Sequence, residues 1–238
     1  MRDLKLSVVC PVYNEGINIG PLLERLSQEI TIPIELIVVY DRDDDDTLPV
    51  LSRLRPPFPV RTVKNRFGRG ALNAIKTGFG EAAGEATLLI MADLSDDLRA
   101  VPRMLGLVRD GYDVVCGSRY MHGGRQIGGP VLKGLLSRAA GLSLHWLAGV
   151  PTRDVTNSFK MYRTAFLRSL TFESSGGFEI GMEAVVKAYV SGARIAEVPS
   201  TWRDRVAGRS RFRLWRWLPK YLRWYFYAFR GRFRRSPA

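Results

Sequence analysis

Cysteine is scarce in this chain: two residues, Cys10 and Cys116, among 238. Both fall in apolar runs that read as buried strands. That excludes a disulfide-stapled fold and suits packed, reduced thiols in a reducing compartment. No apolar run reaches the roughly 18–20 residues a membrane-spanning helix needs. The longest uncharged stretch, residues 139–152, is shorter and includes two glycines, a serine and a histidine. The first residues include Asp3 and no apolar core, so no secretory leader is expected. Acidic residues are nearly missing from the C-terminal segment: from Trp202 onward there is one, Asp204, against 12 Lys and Arg. The preceding 201 residues are almost balanced, with 24 basic and 22 acidic side chains, so +11 of the formal charge of +13 belongs to the tail. A block of one sign attracts phosphate-bearing partners: lipid headgroups, nucleic acid or phosphorylated substrates.

What is present is a rhythm. Residues 6–10, 34–39, 60–63, 87–91 and 113–116 read as short apolar strands, and 19–30, 46–54, 69–83 and 98–110 read as helices between them. Alternation of this kind predicts an α/β fold with a mostly parallel central sheet and helices on both faces. The second half predicts a Gly-rich loop over 117–130, a helix over 131–147, a strand over 158–162, a helix over 178–190 and a last strand over 194–198. In open α/β sheets ligands bind beyond the carboxyl ends of the strands. The residues just after each strand are therefore the candidates.

After the first strand, Pro11, Tyr13 and Glu15 offer a turn, a flat ring and two acceptors. They suit a nucleoside, or simply a loop with a helix cap. After the second comes an acidic run from Asp41 to Asp46. Asp41 is placed to accept hydrogen bonds from a base; Asp45 or Asp46 can cap the next helix, and a solvated acidic loop is the alternative. After the fourth, Asp93 emerges from a buried strand as the natural ligand for a hard divalent cation on a diphosphate. Asp96 and Asp97 can instead start the following helix. After the fifth, Arg119 points to the same crevice. Lys133 and Ser137, four residues apart on one helix face, complete a phosphate site or form a solvated face. Residues 202–212 pack four arginines around one Gly and one Ser, as a clamp that closes on an anion or as a solvated charge run.

The order of these motifs is more specific than any one of them. Pro-x-Tyr-Asn-Glu (11–15), the Asp run at 41, Asn65 to Ala71, Ala92-Asp93-Leu94, Gly117-Ser118-Arg119-Tyr120 and Asp204-Arg205-x-x-Gly208-x-Ser210-Arg211-Phe212 succeed one another as in the family 2 glycosyltransferases. Within them the chain resembles the dolichol-phosphate mannose synthase and polyprenyl-phosphate glycosyltransferase branch, over residues 6–212. The resemblance implies a GT-A fold and an inverting, metal-dependent hexosyltransferase. It implies a nucleotide-sugar donor of the GDP-mannose or UDP-glucose type, Mg2+ or Mn2+, and a polyprenyl phosphate acceptor. It assigns Pro11, Tyr13, Glu15, Asp41, Asp93, Arg205 and Arg211 to the donor, Arg119, Lys133 and Ser137 to the acceptor phosphate, and Asp93, Arg119 and Arg205 to catalysis. Asp93 takes the metal; because Met91 stands where the family has the first acid of its Asp-x-Asp motif, either Ser95 or Asp96 compensates or the diphosphate supplies most of the ligands. Lys133 stands for a commoner Arg, and Arg211 for a commoner Lys.

The expected division is a transferase domain over 1–212 and a basic aromatic tail over 213–238. On a helix, Leu218, Tyr221, Leu222, Tyr225, Phe226 and Phe229 fall within an arc of roughly 140°, with Lys220, Arg223 and Arg230 opposite. With Trp215, Trp217 and Trp224 added, the pattern suits an amphipathic helix lying in a membrane interface; docking on the globule or on a second copy is the alternative. The expected setting is peripheral, on the cytoplasmic face of a membrane, with no nucleic-acid partner and a homo-oligomer left open. A glycosyltransferase with a soluble or glycan acceptor and an inactive membrane-bound scaffold are the rival functions.

Overall fold

The computed structural model describes residues 5–205 and 214–235, with side chains in the final helix described over 217–231. In chain order the elements are β1 (Leu6–Pro11), α1 (Gly16–Glu29), β2 (Ile34–Tyr40), α2 (Thr47–Leu51), β3 (Val60–Lys64), α3 (Ala71–Glu81), β4 (Ala86–Leu89), α4 (Val101–Arg109) and β5 (Val114–Ser118). Then follow β6 (Arg125–Ile127), α5 (Val131–Ser143), β7 (Lys160–Arg163), α6 (Thr164–Ser169), α7 (Ile180–Ser191), β8 (Ile195–Pro199), β9 (Thr201–Arg203) and α8 (Leu214–Arg235).

Seven strands form one sheet in the order β3-β2-β1-β4-β7-β5-β8. Neighbours run parallel except around β7, which is antiparallel to both β4 and β5. Strands β1, β2, β4 and β5 are apolar at nearly every position because both faces are covered. Successive residues serve opposite cores: Val9 and Val39 pack with Phe79, Val185 and Trp224, whereas Val8 and Val38 pack with Leu22, Leu26 and Met104. The expected α/β sheet with helices on both faces is therefore present. β6 and β9 form a separate parallel ribbon at the carboxyl end.

The reversal of β7 matters for function. Lys160, its first residue, pairs with Leu89 near the end of β4 and with Cys116 on β5. Residues that precede β7 thus lie at the same edge of the sheet as residues that follow β4 and β5.

Element ends depart from expectation for local reasons. β4 stops at Leu89 instead of reaching Met91, because the Met91 amide donates to the Asp96 carboxylate (3.0 Å) and leaves the ladder. α3 starts at Ala71, since Gly70 sits at φ +115°, a conformation no helix contains. α2 ends in a tightened turn, Arg53 N to Val50 O and Leu54 N to Leu51 O. α5 runs into a single wide turn over Leu144–Ala148 that Gly149 ends at φ +80°.

α8 docks on the globule. Trp224 is 1 % exposed and its Nε1 donates to Ser174 Oγ (3.1 Å); Ala228 is fully buried, and Gly231 meets the Tyr189 ring so closely that a Cβ would stand 2.5 Å from it. Lys220 donates to Ser175 O (2.9 Å) and Arg223 to Glu173 Oε2 (2.6 Å), so the basic side is also engaged. Trp224, expected among headgroup-seeking side chains, is core instead: its position two turns from Trp217 and one turn from Ala228 puts it on the inner stripe. Leu222 and Phe226 remain exposed. Replacing Trp224 with Ala should cost about 3–5 kcal/mol and free α8 for proteolysis. Guanidinium unfolding and a limited-digestion time course measure both; a loss under about 1 kcal/mol with an intact C-terminal helix would show that this contact does not hold it.

Candidate active site

A cavity of about 830 Å³ opens at the carboxyl edge of the sheet and is lined by residues from both halves of the chain. Pro11, Tyr13, Glu15 and Asp41 wall one end; Asp93, Ser95 and Arg205 stand in the middle; Arg119, Lys133 and Ser137 line the other end. Every candidate named from the sequence therefore reaches this one cavity except Asp96, which is buried behind it, and Arg211, which lies outside the described residues.

At the first end the backbone of residues 14–16 is held from across the sheet. Asn14 N donates to Asp45 Oδ2 (3.1 Å), Glu15 N to Thr47 Oγ1 (3.0 Å) and Gly16 N to Asp46 Oδ1 (2.8 Å). Asp45 also takes the Thr47 amide through Oδ1 (3.0 Å) and is buried. Buried Asp45 and exposed Asp46 thus tie down the Tyr13 loop, while Asp43 and Asp44 remain solvated. Gly16 is required there, because a Cβ would stand 2.9 Å from the Asp46 carbonyl. Asp41 accepts from Asn65 Nδ2 (2.8 Å) and Gly70 N (2.8 Å), which shapes the 65–70 loop against the cavity. Glu15 accepts from Asn18 Nδ2 (2.6 Å), and burial pushes its carboxyl above the usual range.

In the middle, Asp93 Oδ2 receives Arg205 Nη2 (2.8 Å) and Oδ1 receives the Ser95 amide (3.2 Å). The turn is tight, with Leu94 at φ +64°, and Arg25 clamps it through the carbonyls of Leu94 (3.1 Å) and Asp96 (3.0 Å). Asp96 faces inward to the Met91 amide (3.0 Å), and burial beside Asp93 pushes its pKa to about 7. It is a protonatable strut, and Ser95, not Asp96, reaches the cavity. Among the described residues no group of three or more His, Cys, Asp or Glu could hold a metal. Asp93 alone is a fitting partner for a cation that arrives with a diphosphate, since magnesium is commonly held by one or two carboxylates plus substrate phosphates.

At the far end Arg119 grips Asp154 with Nε on Oδ2 (2.7 Å) and Nη2 on Oδ1 (2.9 Å), while its own amide donates to Oδ2 (3.0 Å). Nη2 also donates to Ser137 Oγ (2.9 Å) and Thr156 Oγ1 (3.2 Å), and Tyr120 OH donates to Ser137 Oγ (2.9 Å). Burial opposes the charge on both partners, and the pairing wins: Arg119 is held protonated and Asp154 below the usual carboxylate range. Lys133 is pulled down by burial and by the neighbouring Arg119 and Arg205. Arg119 and Arg205 are each paired with a carboxylate, Asp154 and Asp93, and with Lys133 they bring three cationic side chains to one cavity.

Asp154 and Thr156 were not found from the sequence. The polar run Asp154 to Ser158 was visible, but it precedes a strand, and only an antiparallel strand puts its preceding residues at this edge.

The fold is shared with solved glycosyltransferases, and it is the GT-A fold. Glucosyl-3-phosphoglycerate synthase from Mycobacterium tuberculosis, solved with Mn2+, uridine diphosphate and glucosyl-3-phosphoglycerate, aligns with a TM-score of 0.66 at 19% identity, covering 96% of this chain and 80% of that one. S. aureus TarS aligns at 0.61 with 20% identity, over 84% of this chain and 60% of that one. The sequence profile described as Glycosyl transferase family 2 matches residues 7–170, and the chain belongs to that family. Relatives include a dolichol-phosphate mannosyltransferase of Pyrococcus furiosus, 28% identical over 214 residues and 88% of this chain. A polyprenol monophosphomannose synthase of Mycolicibacterium smegmatis is 30% identical over 211 residues, 86% of this chain and 79% of its own. This chain spans 60% of the length of the Pyrococcus relative.

The Asp96 shift makes a stability prediction. Its folded pKa of about 7 is raised above the ordinary carboxyl value of 3.8. Its contribution is therefore fully present below the unfolded value and is lost as pH rises toward about 7. Asp96→Asn keeps the protonated shape and should flatten that part of the profile. Urea midpoints at several pH values test this; parallel profiles for both proteins would place the titration elsewhere.

Proposed function

We propose that this chain moves a hexose, mannose or glucose, from a nucleotide-diphosphate sugar to a polyprenyl phosphate at the cytoplasmic face of a membrane, with inversion at the anomeric carbon. The observation that carries the reading is the cation site of Arg119, Lys133 and Ser137 facing the Asp93–Arg205 pair across one cavity. The relatives' names support a lipid-phosphate acceptor. The uridine diphosphate and Mn2+ of the solved neighbour support a nucleotide donor and a divalent cation.

An acceptor phosphate is already anionic near neutral pH and needs no general base. The residues act by positioning and by neutralising charge. Arg119, Lys133 and Ser137 hold the acceptor phosphate; one of its oxygens bonds to the anomeric carbon as the bond to the diphosphate oxygen breaks, and the electron pair leaves with the diphosphate. Arg205, already at the boundary between the two ends, offsets the repulsion between the two phosphates. Tyr13, Glu15 and Asp41 hold the nucleoside, and Arg211 extends the clamp. A divalent cation would be held by Asp93, with Ser95 beside it, and would supply charge neutralisation to the leaving diphosphate.

Among the described residues no helix is long and apolar enough to cross a membrane. A membrane-facing surface is nevertheless available. α5 exposes Val131 (77 %), Leu132 and Leu135, the following turn exposes Trp146, and α8 exposes Leu222 and Phe226 (66 %). Tyr225 OH donates to Ser143 Oγ (2.9 Å), which joins α8 to the end of α5. Leu136 and Leu222 also line the cavity, so this apolar face continues into the site where a lipid phosphate would arrive. On this reading 1–212 is the transferase domain, and within the tail over 213–238 the helix α8 both walls the cavity and meets the membrane interface.

A panel of nucleotide sugars assayed with polyprenyl phosphate tests the function. The expected result is an organic-extractable glycolipid from one donor, with kcat/KM lowered at least about 100-fold in Arg119→Gln. Product only with soluble phosphate or glycan acceptors would replace the lipid reading, and no nucleotide-sugar binding at all would favour a scaffold. For the surface, Leu132→Glu with Phe226→Glu should weaken co-sedimentation with phosphatidylglycerol vesicles about tenfold or more while sparing nucleotide binding. Unchanged sedimentation would remove this face from membrane contact.

A further inference from the structure

β7 opens on Lys160, whose side chain is 0% exposed. A lysine is almost never fully buried unless its ammonium is partnered. Its Nζ donates to the carbonyls of Val155 (3.2 Å) and Asn157. Both belong to the turn whose Asp154 and Thr156 hold Arg119 and Ser137. The other ties of that turn are neutral or internal: Asn157 Nδ2 to Gly117 O (2.9 Å), Asp154 N to Thr152 Oγ1 (3.1 Å) and Asn157 N to Asp154 Oδ1 (3.2 Å). Lys160 alone among these ties brings a positive charge. Burial lowers the Lys160 pKa, and Cys116, Asp154 and Asp96 oppose that shift; its donors hold the two carbonyls beneath the place where a phosphate would sit. The other ionisable groups near its ammonium are the Cys116 thiol and the Asp96 carboxyl.

We propose that Lys160 is a positioning residue of the phosphate site: its buried ammonium holds the backbone of residues 155–157 and, through Asp154 and Thr156, keeps Arg119 and Ser137 set for an acceptor phosphate. This rests on the reading of that end of the cavity as the acceptor site and adds the support that the reading leaves unexplained. A lysine that merely filled the core would affect both ends of the cavity alike. A positioning lysine affects only the phosphate end, because the Tyr13 loop is held independently by Asp45, Asp46 and Thr47.

The test compares the full chain with Lys160→Met, which removes charge and donor, and with Lys160→Gln, which keeps a donor for the two carbonyls. Binding of inorganic phosphate, geranyl phosphate, UDP and GDP is measured by calorimetry, with melting curves as the fold control. The expected result is a loss of phosphate affinity of about tenfold or more in Lys160→Met, a smaller loss in Lys160→Gln, and unchanged nucleotide binding. Combining Lys160→Met with Asp154→Asn should cost little beyond either alone, since both act through Arg119. Phosphate binding unchanged in a folded Lys160→Met, or phosphate and nucleotide affinity falling together, overturns the inference. If Lys160→Met does not melt cooperatively, Lys160→Gln decides by the same two criteria. Wild-type protein that binds inorganic phosphate but gains nothing from the geranyl chain removes the lipid acceptor and leaves the role of Lys160 to the variants. Wild-type protein that binds neither phosphate overturns both.

Discussion

Arg119 and Asp154 are the pair around which the rest of the cavity is arranged. Their side chains are 9% and 0% exposed. Taking two charges out of water is costly, and the attraction between them compensates only with good geometry and with the remaining donors and acceptors used. Here the grip is two-pronged, the Arg119 amide adds a third bond, and Ser137 and Thr156 occupy the outer guanidinium. Elements distant in sequence must meet for this to happen: the end of β5, the turn before β7 and the middle of α5. The ion pair therefore constrains the order of strands as much as it serves a ligand.

The same economy runs along the cavity. Asp93 is matched by Arg205 and Asp96 by a backbone amide, and Asp45 and Asp46 of the second loop accept from the amides of the first. Lys133 is lowered first by burial and then by Arg119 and Arg205, against Asp204 and Asp93. Among the described residues no group of three or more His, Cys, Asp or Glu stands here to hold a metal by itself. That is consistent with a divalent cation entering with its diphosphate. Met91 lines the cavity, and its amide is committed to the Asp96 carboxylate.

α8 joins the two themes. Trp224 and Ala228 turn inward, Tyr221 and Tyr225 wall the cavity, and Leu222 and Phe226 face out. One helix thus supplies core, site wall and exposed apolar surface on successive faces. Amphipathicity in the sequence could not separate these, because burial against protein and burial against lipid select the same residues.

Much of the fold was legible because alternation of short apolar runs with helical patterns is dictated by a sheet covered on both faces. The strand ends carrying Tyr13, Asp93 and Arg119 were found by a rule about parallel strands, and they meet as the rule requires. The sequence by itself determined the α/β sheet, the family, many of the residues that line the cavity and the concentration of positive charge at the C-terminal end. Only the tertiary structure decided that β7 runs backwards between β4 and β5, which brings Asp154, Thr156 and Lys160 beneath Arg119, and that Trp224 is core. The reason is physical: strand direction and helix docking are settled by contacts between residues tens of positions apart, and no local pattern records which way a buried strand runs.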